Sequence, residues 1–124
     1  MKPYGKELII DLHNCDPTTF TRKSIEDYVD TLCKEVIYME AEGLHFWDYE
    51  GDPEGYAEAP DHLKGISAVQ FIKTSSIVIH TLDVLQKAFI NIFSCKEFNV
   101  LEAVEFTKQW FDGKIYNSKV VVRV

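Results

Sequence analysis

The stretch GISAVQFIKTSSIVIHTLDVLQKAFINIFSC, residues 65–95, decides the fold. It holds three strand-like runs in succession. Residues 66–72 and 76–81 are rich in β-branched side chains, and residues 87–95 alternate apolar and polar positions around Asn91. The middle run breaks its own alternation. On strand geometry Ser76, Val78 and His80 share one face, whereas Ser75, Ile77, Ile79 and Thr81 share the other, so both faces mix polar and apolar groups. Taken singly, the two serines end a turn and His80 is a hydrogen-bonded core histidine.

Upstream, residues 7–12 (ELIIDL) form a short apolar run that stops at the turn signal Asp16-Pro17 and reads as a buried strand. A helix follows: Ser24, with Asp27 three residues on, resembles an N-cap, and Ile25, Tyr28, Val29, Leu32 and Val36 share a face. Residues 43–49 (GLHFWDY) are strand-like. Residues 50–65 carry the glycine, proline and acid of an exposed loop. Downstream, Asn99 and Glu102 make a capping box for a helix with Val100, Val104, Thr107 and Phe111 on its inner face, stopped at Gly113. Residues 119–124 (KVVVRV) close the chain as a strand. The pattern predicts one α+β domain over residues 1–124, a two-layer sandwich of a mainly antiparallel sheet with two helices on one face. The strands' apolar content calls for cover on the other face as well, and no further helix is available. Sheet-to-sheet packing in a twofold homodimer meets that need.

Composition narrows the function. The chain of 124 residues is 46% hydrophobic and 27% charged, with no apolar run near the roughly 20 residues that span a bilayer. Its start lacks the pattern of a secretory leader, so the expected location is the cytoplasm. Cys15, Cys33 and Cys95 are odd in number and widely spaced, which suits free thiols rather than a disulfide framework or a CxxC metal site. A net charge of −7 argues against nucleic acid and anionic lipid, leaving a small molecule or another protein as partner.

The order and spacing of GIS, TSS, IHT and FSC resemble the prokaryotic S-adenosylmethionine decarboxylase family. Its region GVSGVVVI.ESHLTIHTW…FTC aligns with Gly65 to Cys95 without a gap, and its opening G.H…D…CD is echoed by GKELIIDLHNCD. The resemblance implies an enzyme with no metal that makes its own pyruvoyl cofactor by cutting the chain between Thr74 and Ser75, into 1–74 and 75–124. It implies Ser75 as the self-cleavage serine, His80 as the processing histidine, Ser67 as its helper and Cys95 as the catalytic proton donor. A serine hydroxyl can attack the preceding carbonyl through an oxyanion, an imidazole can remove an α-proton, and a thiol can return one. The pyruvoyl ketone forms a Schiff base with the substrate amine and serves as an electron sink.

Departures from the family pattern are informative. Thr74 and Ser76 stand where the family has glutamate and histidine around the cleavage serine. Val84 stands where it has the glutamate that helps hold the ribose, with Asp83 as a substitute one residue away. Trp47 is a candidate for stacking the adenine. The segment between Trp47 and Gly65 is about 14 residues longer than the family's and carries Asp48, Glu50, Asp52, Glu54, Glu58 and Asp61. These features keep two alternatives to S-adenosylmethionine decarboxylation open, the same chemistry on ornithine or arginine drawn by an acidic loop over the site, and an uncut binding subunit.

Overall fold

A computed structural model describes residues 1–124. Its six strands are β1 (Gly5–His13), β2 (Leu44–Trp47), β3 (Gly65–Ile72), β4 (Ser75–Leu82), β5 (Lys87–Ser94) and β6 (Lys114–Arg123). They form one antiparallel sheet in the order β2-β3-β4-β5-β1-β6. Three helices accompany it: α1 (Arg22–Thr31, continued by a wider π turn over Leu32–Val36), α2 (Pro53–Glu58) and α3 (Val100–Phe111).

Alternation decides what each strand buries. Leu8, Ile10 and Leu12 of β1, Ile77 and Ile79 of β4, and Ala88, Ile90 and Ile92 of β5 lie on the face covered by α1 and α3 and are almost wholly inaccessible. The helices meet them with Ile25, Tyr28, Val29 and Leu32 from the first, and Ala103, Val104 and Phe111 from the second. A fully buried polar contact joins the two helices inside this layer. The Tyr28 hydroxyl lies 2.7 Å from Thr107 Oγ1, which donates onward to the Ala103 carbonyl at 2.7 Å. Both buried hydroxyls are therefore satisfied.

The opposite face is open. Glu7, Ile9 and Asp11 of β1, Ser67, Val69 and Phe71 of β3, Ser76, Val78 and His80 of β4, and Phe89, Asn91 and Phe93 of β5 alternate with the core residues and stay accessible. Several of its polar groups are tied down laterally: Asn91 donates to Glu7 at 2.5 Å, Arg123 pairs with Glu7 at 2.6 Å, and Asn117 donates to Asp11 at 3.0 Å.

Four local expectations are corrected. The N-cap of α1 is Thr21, which accepts the Ser24 N–H at 3.1 Å; Ser24 lies inside the helix and its hydroxyl receives the Trp110 indole N–H at 3.1 Å. Residues 50–65 are not a plain loop. Asp52 accepts the Gly55 N–H at 3.0 Å and Pro53 fills the first helical position, so an Asp-Pro pair that reads as a turn starts α2 instead. At the end of α3 the left-handed residue is Asp112 (φ +49°), and Gly113 serves close approach: a Cβ there would stand 2.7 Å from Cys15 Sγ. Finally, β6 begins at Lys114, earlier than residue 119, because a bulge opposite Asp11 and Leu12 lets it stay in register along all of β1.

Gly65 opens β3 against Leu82, and a Cβ built on it would lie 1.7 Å from the Thr81 carbonyl oxygen of the neighbouring strand. Gly65→Ala should therefore force β3 and β4 apart at this end and cost about 1–3 kcal/mol, as overpacking does. A lower urea midpoint at unchanged m-value is the expected result.

Candidate active site

The register of β3 and β4 pairs Ile72 with Ser75, leaving Lys73 and Thr74 as a two-residue turn. Lys73 takes a left-handed conformation, φ +54°, which a side chain with a Cβ adopts at a cost of about 1 kcal/mol. Ser75 follows at once, buried, and the end of β5 supplies its partner. The Ser75 hydroxyl accepts the Cys95 N–H at 3.3 Å and donates toward Cys95 Sγ at 3.8 Å. Thr74 Oγ1 lies 4.0 Å from the same sulfur. Tyr4, from the segment before β1, donates its hydroxyl to Thr74 Oγ1 at 3.3 Å.

These donors have an electrostatic effect. Cys95 is an exposed thiol, and hydrogen bonds from Ser75 first, then Thr74 and Tyr4, hold its pKa below the ordinary value. The other two thiols behave oppositely. Burial pushes Cys15 and Cys33 up to about 11, which makes them inert. Residue 75 thus sits against an exposed thiol of lowered pKa, two residues after the left-handed Lys73.

Ser67 and His80 form a second pair. Ser67 Oγ lies 2.7 Å from His80 Nδ1 across the β3–β4 ladder, where the two residues are directly opposite. Trp47 is paired with Ser67 on the other side and is largely exposed, with its ring edge-on to Tyr49 at 5.2 Å. Trp47, His62, Leu63, Ser67 and His80 line a cavity of about 260 Å³ on the open face.

The two pairs do not meet within the chain. Ser75 and His80 are five residues apart on one strand, so they lie on opposite faces and about 17 Å apart along it. The structure thus groups the expected residues in two sets, Ser75 with Cys95 and Thr74, and Ser67 with His80 and Trp47. Asp83 joins neither. Its Oδ2 accepts the Tyr56 hydroxyl at 3.0 Å, burial raises its pKa, and it lines a different cavity, of about 650 Å³, with Arg22, Asp48, Tyr49 and Tyr56. Three acids of the long segment are likewise engaged locally. Arg22 holds Asp48 and Glu50 at 2.6 Å each, and Asp52 caps α2. Tyr4 was not foreseeable from sequence, since a lone aromatic ahead of the first strand matches no motif.

The family model for S-adenosylmethionine decarboxylase matches residues 6–124. Among solved structures, the chain is similar to the crystal structure of the adenosylmethionine decarboxylase from Aquifex aeolicus vf5, with a TM-score of 0.77 at 17% identity. That match covers 99% of this chain and 92% of the other, and it establishes the shared fold. No curated protein matches the sequence.

The contrast among the three thiols is directly measurable. Iodoacetamide at pH 8 should alkylate Cys95 alone in the folded protein, with Cys15 and Cys33 labelled only after denaturation. Because the Cys95 pKa is lowered in the uncut chain, the labelling profile of that form should lie at lower pH than that of a simple thiol, and Ser75→Ala should move it back up. Peptide mass mapping reads both effects; equal labelling of all three would contradict the geometry.

Proposed function

Because the chain belongs to the S-adenosylmethionine decarboxylase family, we propose that it is a self-processing decarboxylase of S-adenosylmethionine whose pyruvoyl group is made from Ser75. The observation that carries this reading is the contact of Ser75 with Cys95 beside the Lys73-Thr74 turn. In processing, Ser75 Oγ attacks the Thr74 carbonyl carbon, the C–N bond breaks, and the hydroxyl proton passes to the Ser75 nitrogen, leaving an ester. Removal of the Ser75 α-proton then expels the Thr74 carboxylate from Cβ, and water replaces the nitrogen, which leaves as ammonia. The ketone left at residue 75 supplies the electron sink for loss of carbon dioxide. Cys95 Sγ stands beside that position, where an exposed thiol can return a proton to the carbon that has lost carbon dioxide.

The α-proton step calls for a base, and His80 of the same chain is on the wrong face. A second copy resolves this. Thr74, Cys95 and Tyr4 are exposed at one end of the sheet, and Ser67 and His80 are accessible on its open face, so a twofold homodimer packed through that face can complete each Ser75–Cys95 pair with Ser67 and His80 of the other protomer. Trp47 beside the Ser67–His80 pair then offers a flat ring for the adenine. The decarboxylated product would serve as the aminopropyl donor for spermidine synthesis. Ornithine and arginine are not favoured, because Asp48, Glu50 and Asp83 are bonded to Arg22 and Tyr56 rather than turned toward either pair.

Denaturing mass spectrometry should find fragments 1–74 and 75–124, whereas Ser75→Ala remains one chain. Neither Ser75→Ala nor His80→Ala should be cut as a homodimer, yet co-expression should restore cutting of the His80→Ala chain alone, since the mixed dimer has one complete site. Absence of cutting in the wild type would remove the cofactor, and His80→Ala cut as fast as wild type would remove the shared site. Once cut, Cys95→Ala should retain its two fragments and lose turnover of S-adenosylmethionine by about 10² to 10⁴.

A further inference from the structure

We infer that Tyr4 is a positioning residue for the bond between Thr74 and Ser75, acting through the Thr74 side chain. This rests on the self-processing reading above. The Tyr4 hydroxyl reaches Thr74 Oγ1 at 3.3 Å across a sequence separation of 70 residues. The segment that carries it is anchored at both backbone and ring. Tyr4 N–H donates to the Arg123 carbonyl at 2.8 Å, which extends the β1–β6 ladder by one bond, and its ring lies over Phe93 of β5 with centroids 6.2 Å apart and planes 21° from parallel. The hydroxyl is thus presented from a fixed platform.

Fixing Thr74 matters because residues 73 and 74 are a tight turn at the tip of a hairpin, where peptide planes reorient most easily. A β-branched residue has a stiff χ1, so holding Oγ1 also holds the backbone beside it. Thr74 Oγ1 is held from two sides, by the Tyr4 hydroxyl and by Cys95 Sγ at 4.0 Å, and Cys95 is in turn bound to Ser75. Tyr4 donates to Thr74, and Thr74 and the attacking Ser75 hydroxyl converge on Cys95 Sγ, so the four residues are linked through the sulfur. Donors in series polarise one another, so loss of the terminal hydroxyl should be felt at the sulfur as well as at the turn. Thr74 therefore has a task of its own at a position where the resembling family has glutamate.

Tyr4→Phe removes the hydroxyl and keeps the ring on Phe93. It should slow cutting about tenfold, the effect of one lost hydrogen bond, and shift the pH profile of Cys95 alkylation upward, with the thermal midpoint little changed. Thr74→Val should give the same pair of effects, and Tyr4→Phe combined with Thr74→Val should be no worse than either alone, since both break the same chain. Unchanged cutting and an unchanged alkylation profile in Tyr4→Phe would overturn the inference, as would additive losses in the double variant. If wild type is never cut, the function proposed above fails, whereas the alkylation profile of uncut Tyr4→Phe still decides whether Tyr4 acts on Cys95.

Discussion

Antiparallel pairing of β4 between β3 and β5 is the constraint from which the rest of the molecule follows. It fixes a period of two along the strand, which sends Ile77 and Ile79 into the core and turns His80 outward. The same register brings Ser67 opposite His80 from one side and sets the end of β5, with Cys95, beside Ser75 from the other. A slip of one residue would exchange the faces, expose two isoleucines and bury an imidazole. Core stability and site geometry therefore depend on one ladder, and selection for either maintains both.

Much of this was legible in the sequence, for identifiable reasons. All six strands and the two covering helices are announced by periodicity, because long apolar runs with a fixed repeat leave few alternatives. Starts and stops were less legible. Thr21 and Ser24 are both good caps three residues apart, and only packing against Trp110 decides which one is used. Asp52-Pro53 is equally suited to a turn or a helix start, and its helix forms where Tyr56 can reach Asp83. The odd separation of Ser75 and His80 already implies opposite faces, yet family spacing groups them, because such spacing records chemistry and says nothing of the face on which each part lies. Tyr4 was invisible for another reason: its contact depends on how the two ends of the sheet close, a long-range result that no local pattern encodes.

The long acidic segment shows how charge can mislead. Six carboxylates between Trp47 and Gly65 read as an electrostatic funnel, but three of them have internal work: Asp48 and Glu50 neutralise Arg22, and Asp52 satisfies a helix N-terminus. Exposed pairs of this kind contribute at most about 1 kcal/mol each. Their consequence is to pin the insertion against the start of α1, so that only its last turn, with His62 and Leu63, borders the Ser67–His80 cavity.

The order of strands carries a final consequence. Division of the chain after Thr74 assigns β1, β2 and β3 to the first piece and β4, β5 and β6 to the second, and β1 is clasped between β5 and β6. The pieces are interleaved like clasped fingers. Three of the sheet's five seams would join different molecules, so neither piece could leave without dismantling the core. Such a protein folds as a unimolecular object and, once divided, could re-form only by bimolecular encounter, so its unfolding would become concentration-dependent and in practice irreversible. Its persistence would then be a matter of rate, inherited from a connection that no longer exists.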